Sequence, residues 1–231
     1  MFIDRPLLGS SLPEGTLCLT FDDGPGAPGP DGSGPRTLEL AEYLSDEAVP
    51  ATFFACGEPV AALPGVVERV RALGHAVGNH THTHPDLQVA LAGGLDVVSE
   101  VAATDALIRA QEGPLFFRPP YGSWSPAVAA ALNTRRGLAA GYVGPVLWDI
   151  DGRDWAAWRD GRSARSCAAT YRRAVESTRR GIVLMHDSTA DHTEWQPRNL
   201  TFETVRLLVP ELRAQGYRFA ALAEIPALSP R

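Results

Sequence analysis

Leu19-Thr-Phe-Asp-Asp-Gly24, followed by Pro25, is the stretch from which this chain is read. The apolar run Thr16–Phe21 leading through it alternates too little to be half exposed. It has the length of a fully buried parallel strand, and Gly24-Pro25 ends it abruptly. Asp22 and Asp23 therefore stand at a strand's C-terminal end, where α/β folds gather their chemistry because the following loops converge on one cleft. Adjacent acids on an extended segment point to opposite sides, so the two are expected to have different neighbours and different tasks. Taken alone, the stretch reads first as an ordinary solvated Asp-Gly turn closing a strand. The rest of the chain decides between these readings.

Outward from this strand, the Gly- and Pro-rich stretch from Gly26 to Pro35 reads as a surface loop. A helix follows from Thr37, with Leu38, Leu40, Ala41, Leu44 and Ala48 on one face, and then a second buried strand, Val49–Ala55. Helix and strand keep alternating. Helices are expected over Leu63–Leu73, Gly94–Gln111, Ser125–Thr134, Ser163–Arg179 and Thr201–Gln215. Strands are expected over His75–Gly78, Pro114–Phe117, Gly181–Met185 and Tyr217–Ala221, with two short ones around Gly144-Pro145 between Leu138 and Trp148. Such alternation implies a parallel sheet with right-handed crossovers. About seven units, with acids closing the first strand, point to an α/β fold of the distorted (β/α)7-barrel type, with residues 1–231 forming a single domain.

Composition narrows the function. A length of 231 residues and 45% hydrophobic content suffice for one large core, while a net charge of −6 argues against a nucleic-acid or anionic-membrane surface. All 21 basic residues are Arg, which excludes Schiff-base and P-loop lysine chemistry. Cys18, Cys56 and Cys167 are widely spaced and form no Cys-x-x-Cys pair, so they read as reduced core residues. No signal-like N-terminus or membrane-length apolar run is present, so the chain reads as a cytoplasmic monomer as it stands. Removal of an N-terminal signal would make it secreted or cell-wall associated.

Further strand ends carry reactive groups. His80-Thr-His-Thr-His84 offers neutral imidazoles, and two of these with a carboxylate bind a borderline metal while leaving room for water. If the segment stays extended, His80, His82 and His84 share a side; a turn instead unites His80 and His84 and leaves His82 elsewhere. Phe117-Arg-Pro-Pro-Tyr-Gly122 places a guanidinium in a loop stiffened by two prolines. Trp148-Asp-Ile-Asp-Gly-Arg-Asp-Trp155 offers Asp149, Asp151 and Asp154 beside two indoles, and Leu184-Met-His186 ends an apolar strand in a proton carrier. Each has an ordinary structural explanation by itself; five strand ends loaded in this way do not.

In this order, Thr20-Phe-Asp-Asp-Gly-Pro25, His80-Thr-His-Thr-His84, Arg118-Pro-Pro-Tyr121, Asp151-Gly-Arg-Asp-Trp155 and Leu184-Met-His186 resemble the five motifs of the polysaccharide deacetylase family. This family is also called carbohydrate esterase family four, or the NodB-homology domain. The resemblance covers residues 16–222 and implies a metal-dependent hydrolase that removes acetyl groups from an N-acetylglucosamine-type saccharide. It implies Asp23, His80 and His84 as ligands of a divalent metal, zinc first, with cobalt, nickel, manganese or iron as alternatives. It implies Asp22 as general base held by Arg118, and His186 as general acid oriented by Asp154, with Asp151 in the same network. Tyr121 would offer its backbone N–H to the oxyanion, Trp155 and Leu184 would wall the acetyl pocket, and Pro120 would lie against the substrate.

Three features depart from the usual pattern: the long loop from Gly26 to Pro35, a second long polar segment from Asp187 to Asn199 with His192 and Trp195, and His82 itself. They bear on the substrate rather than on the reaction. Alternatives are a hydrolase of a small non-polymeric amide or biosynthetic intermediate, an O-acetyl esterase, and a catalytically dead carbohydrate-binding protein. The last should lack a base, an acid or a ligand, and every such position is filled.

Overall fold

A computed structural model of the chain describes residues 2–109 and 115–225. The opening strand, β1 (Thr16–Asp22), is buried along its whole length. It is followed by α1 (Thr37–Asp46), β2 (Ala51–Ala55), α2 (Gly57–Ala62), α3 (Val66–Ala72), β3 (Ala76–Asn79), α4 (Leu87–Ala92), α5 (Val97–Ile108) and β4 (Leu115–Phe116). Beyond these come α6 (Pro126–Asn133), α7 (Arg136–Ala139), β5 (Tyr142–Val143), β6 (Ile150–Asp151), α8 (Asp154–Arg159), α9 (Ala164–Thr178), β7 (Gly181–His186), α10 (Thr201–Ala214) and β8 (Arg218–Phe219).

All strand pairs are parallel. One sheet runs β3-β2-β1-β7-β6, and a second pairs β4 with β5. A bridge between Asn79 and Phe117 joins the two sheets. The strands therefore follow chain order around an arc, from β1 through β5 on one side and back through β6 and β7 to β1. Among the described residues no ladder joins β5 to β6, and this seam is the distortion of the barrel. The N-terminal segment laces it: Leu7 bridges to Val146, and the Gly9 N–H donates to Asp149 Oδ2 at 2.8 Å. Strand β8 pairs with Thr16 and Leu17, before β2 begins its ladder at Leu19.

Period-two alternation sorts the side chains. Leu17, Leu19, Phe21, Phe53, Val183 and Met185 belong to the core under the helices, whereas Cys18, Phe54, Phe116 and Ile182 fill the barrel interior. Continuing the interior column upward from Cys18 gives Thr20 and then Asp22; from Ile182 it gives Leu184 and then His186. Asp22 and His186 are register partners on adjacent strands. The same alternation that packs the core thus delivers two ionisable groups to one end of the barrel.

Several boundaries differ from expectation. The helix expected from Gly94 begins at Val97, because Asp96 caps it by accepting the Val98 and Ser99 N–H groups. Its expected end at Gln111, and the expected strand start at Pro114, lie outside the described residues. The second short strand expected before Trp148 is β6, beyond that residue. Helices α2, α4 and α8 have six residues each, too short for a 3.6-residue period to register in sequence.

Candidate active site

Strand β1 ends at Asp22, and the backbone turns left-handed at Asp23, with φ 73°. The expectation that the two acids point to opposite sides fails for this reason: the turn breaks the alternation, and both carboxylates line one cavity of about 370 Å³. Their neighbours nevertheless differ. Asp22 Oδ1 accepts from Arg118 Nη1 at 2.7 Å. Arg118 is fully buried and also donates to Thr20 Oγ1 and to the carbonyls of Val146 and Leu147, with the Phe54 ring 4.2 Å from its guanidinium carbon. Such saturation leaves the guanidinium no freedom, so it fixes the carboxylate beside it.

Asp23 meets the histidines. Its Oδ1 lies 3.4 Å from His80 Nε2 and 3.2 Å from His84 Nε2, and one ligand atom from each residue falls within 4.8 Å of the others. The segment between the histidines is turned, with Thr81 at φ 69° and His84 at φ 60°. Asn79 Oδ1 accepts the Thr81 N–H, and Glu100 on α5 accepts the N–H groups of His82 and Thr83. Of the two arrangements open in the sequence, the turn is therefore realised, and His82 faces Gly57 and Thr104 instead. His80 Nδ1 sits 2.7 Å from the Arg118 carbonyl, which can only accept, so Nδ1 carries the proton and Nε2 keeps its lone pair.

Asp23 Oδ1 is buried yet has no hydrogen-bond partner among the described residues, although two imidazole nitrogens lie within 3.4 Å. Converging donor atoms with an orphaned carboxylate oxygen between them fit a divalent cation, which two imidazoles and one carboxylate hold while leaving positions open. Burial raises the Asp23 pKa, but the imidazoles of His80 and His84 beside it, with the charge of His186, outweigh burial and hold the carboxyl well below its ordinary range. Burial lowers the His84 pKa, and contacts with Asp191 and Asp23 override it, raising the pKa to about 9. The cluster is an anionic host for positive charge.

Across the cavity, His186 Nδ1 lies 2.8 Å from Asp154 Oδ1, and the His186 N–H donates to Asp154 Oδ2 at 2.7 Å. Asp154 is itself fully buried at the start of α8. With Nδ1 so engaged, Nε2 is left for the cavity. Trp155 and Leu184 line the same space, as do Tyr121, Trp148 and Trp195. Two expected residues stand apart. Asp151 lines the cavity and feels the charges of Asp154 and His186, but its Oδ1 accepts the Arg153 N–H and no hydrogen bond joins it to His186 among the described residues. Pro120, expected against the substrate, is buried and does not line the cavity; it opens the turn that carries Tyr121.

Residues 9–137 match the family described as polysaccharide deacetylase. The chain is 34% identical over 218 residues to a chitooligosaccharide deacetylase of Bradyrhizobium, covering 91% of this chain and 90% of that protein. The chain belongs to the polysaccharide deacetylase family. A peptidoglycan-N-acetylglucosamine deacetylase of Bacillus cereus is 26% identical over 89% of this chain and 66% of its own length. The solved chitin deacetylase of the fungal pathogen Colletotrichum lindemuthianum superposes with a TM-score of 0.75 at 25% identity, covering 98% of this chain and 92% of that one.

Sequence reasoning passed over three contributors to this family member's site. Thr20, one interior step below Asp22, donates to the Val183 carbonyl and accepts from Arg118. Glu100 pins the histidine turn from a helix whose pattern signalled only packing. Asp191 reaches His84 and Tyr121 from the loop after β7. Only Thr20 had a legible signal, the period-two column that it shares with Asp22. No helix among the described residues is long and apolar enough to cross a membrane.

Proposed function

We propose that this deacetylase is a metal-dependent hydrolase that cleaves the acetamide of N-acetylglucosamine-type saccharides, with zinc at Asp23, His80 and His84. The observation that carries this reading is the convergence of an Arg-held carboxylate, an Asp–His–His cluster and an Asp-held histidine on one cavity. A divalent ion bound there supplies Lewis acidity at the amide carbonyl and lowers the pKa of water from about 15.7 towards roughly 7. Asp22, fixed by Arg118, takes the proton of the attacking water. The oxyanion receives the Tyr121 backbone N–H, which makes no hydrogen bond among the described residues. His186 protonates the leaving amine, and Trp155 and Leu184 enclose the methyl group. The aromatic lining of Tyr121, Trp148, Trp155 and Trp195 favours a sugar over a small aliphatic amide.

Acetate release from N-acetylglucosamine oligomers tests the reading. Activity is expected to vanish on chelation and to return with zinc or cobalt. A metal-loaded protein that releases nothing from the oligomers but hydrolyses small amides would transfer the same machinery to the second substrate class.

The proton on His186 has a predictable pH signature. Burial lowers its pKa, but the charge and hydrogen bond of Asp154, with the charges of Asp23 and Asp22, raise it to about 10. The acid must be protonated to act, so activity is lost as pH rises through the His186 pKa. Asp154→Asn removes the leading cause of the raised value. The alkaline limb of kcat/KM is therefore expected to move to lower pH; an unmoved limb would detach Asp154 from the acid.

A further inference from the structure

We infer that Ala190 and Asp191, in the long loop after β7, form an outer shell of the metal site, with Asp191 acting as a positioning residue for His84. Asp191 Oδ2 lies 3.0 Å from His84 Nδ1, on the ring edge away from Asp23. The same oxygen accepts the Tyr121 hydroxyl at 2.5 Å, and the Tyr121 ring packs 4.7 Å from the His84 ring. One residue earlier, the Ala190 N–H donates to Asp23 Oδ2 at 3.2 Å, leaving Oδ1 to the histidines. Consecutive residues of one loop thus touch the outward atoms of two of the three ligand side chains.

A histidine that binds a metal through one nitrogen needs an acceptor at the other, and a carboxylate there both fixes the ring's rotation and raises its basicity. The barrel provides this for His80 through the Arg118 carbonyl at 2.7 Å. For His84 the acceptor comes from the loop. The approach there is off-line, an ion-pair contact rather than a linear hydrogen bond, so His84 is held less rigidly than His80. The loop also carries His192 and Trp195, whose rings stack at 3.9 Å and line the cavity. Metal occupancy and the order of this wall are therefore coupled, and the coupling is reciprocal. This loop belongs to the metal centre as well as to the substrate wall.

The inference rests on the metal-dependent reading of the cluster, so its test measures the metal directly and requires no substrate. Zinc affinity, read by competition with a chromogenic chelator, is expected to weaken about 10–100-fold in Asp191→Ala. Asp191→Asn, which keeps an acceptor oxygen but loses the charge, should fall between Asp191→Ala and the wild type. Amide hydrogen exchange supplies a second readout: zinc should slow exchange over residues 188–192 in the wild type and fail to do so in Asp191→Ala. Asp191 lies on an accessible loop, so loss of the fold does not confuse the result. An Asp191→Ala protein that binds zinc as tightly as the wild type would overturn the inference while leaving the hydrolase reading intact. A wild-type protein that binds no divalent ion would overturn both.

Discussion

Asp22→Asn is expected to reduce turnover of N-acetylglucosamine oligomers by about 10²–10⁴, the range for losing a positioned acid or base, while zinc binding stays near its wild-type value. Asparagine keeps an oxygen for Arg118 but cannot accept the proton of the attacking water. A parallel change at the acid sharpens the assignment. His186→Gln should impose a comparable loss on the amide but a much smaller one on an aryl acetate, because an aryl oxide leaves without a proton whereas an amide anion does not. Asp22→Asn should slow both substrates alike, since the base acts on water and not on the leaving group. Equal losses for His186→Gln on the two substrates would remove it from leaving-group protonation. A substantially active, zinc-loaded Asp22→Asn enzyme would remove the base.

How the site was read from sequence follows from where each residue's position is set. Asp22, His186 and the motif surrounding Arg118 belong to strand ends, and a buried strand announces itself by composition and its end by Gly or Pro. The barrel's remaining strands are another matter. β4 and β5 fall inside expected ranges although each has only two residues, whereas β6, equally short, lies beyond the expected stretch, and the seam between β5 and β6 has no sequence mark. Backbone reversals were equally silent. Left-handed turns at Asp23, Thr81 and His84 convert an expected opposition of two acids into a shared cavity, and an extended or turned histidine segment into a turned one. These residues lack glycine's permissiveness, and the histidine turn is held from outside it: Asn79 Oδ1 accepts the Thr81 N–H two residues on, and Glu100, 17 positions from Thr83, accepts the N–H groups of His82 and Thr83. Asp191 illustrates the same limit, because its meaning lies in a contact across 107 positions of chain, with His84. Asp151 shows the converse: a motif position with a clear spacing lines the same cavity as the acid, but its carboxylate hydrogen bond goes to the neighbouring Arg153 N–H and not to His186.

The second large effect concerns what holds the base. Arg118 is a fully buried cation, and its nearest charge is Asp22. Arg118→Met is therefore expected to destabilise the fold by about 3–5 kcal/mol, because it strands a buried carboxylate and leaves the Val146 and Leu147 carbonyls without their donor. The double variant Asp22→Asn with Arg118→Met separates these contributions. If the stranded charge dominates, neutralising it restores part of the loss, and the double variant is more stable to urea than Arg118→Met alone. If the losses instead simply add, agreeing within about 0.5 kcal/mol, the two side chains are energetically independent despite their 2.7 Å contact. Activity separates from stability here, since neither the double variant nor Asp22→Asn retains a base and both should be equally inactive. Recovery of the fold without recovery of turnover would assign the stability loss of Arg118→Met to the stranded charge and the loss of turnover to the missing base. The barrel accommodates a buried charge at its centre because that charge fixes where the carboxylate points.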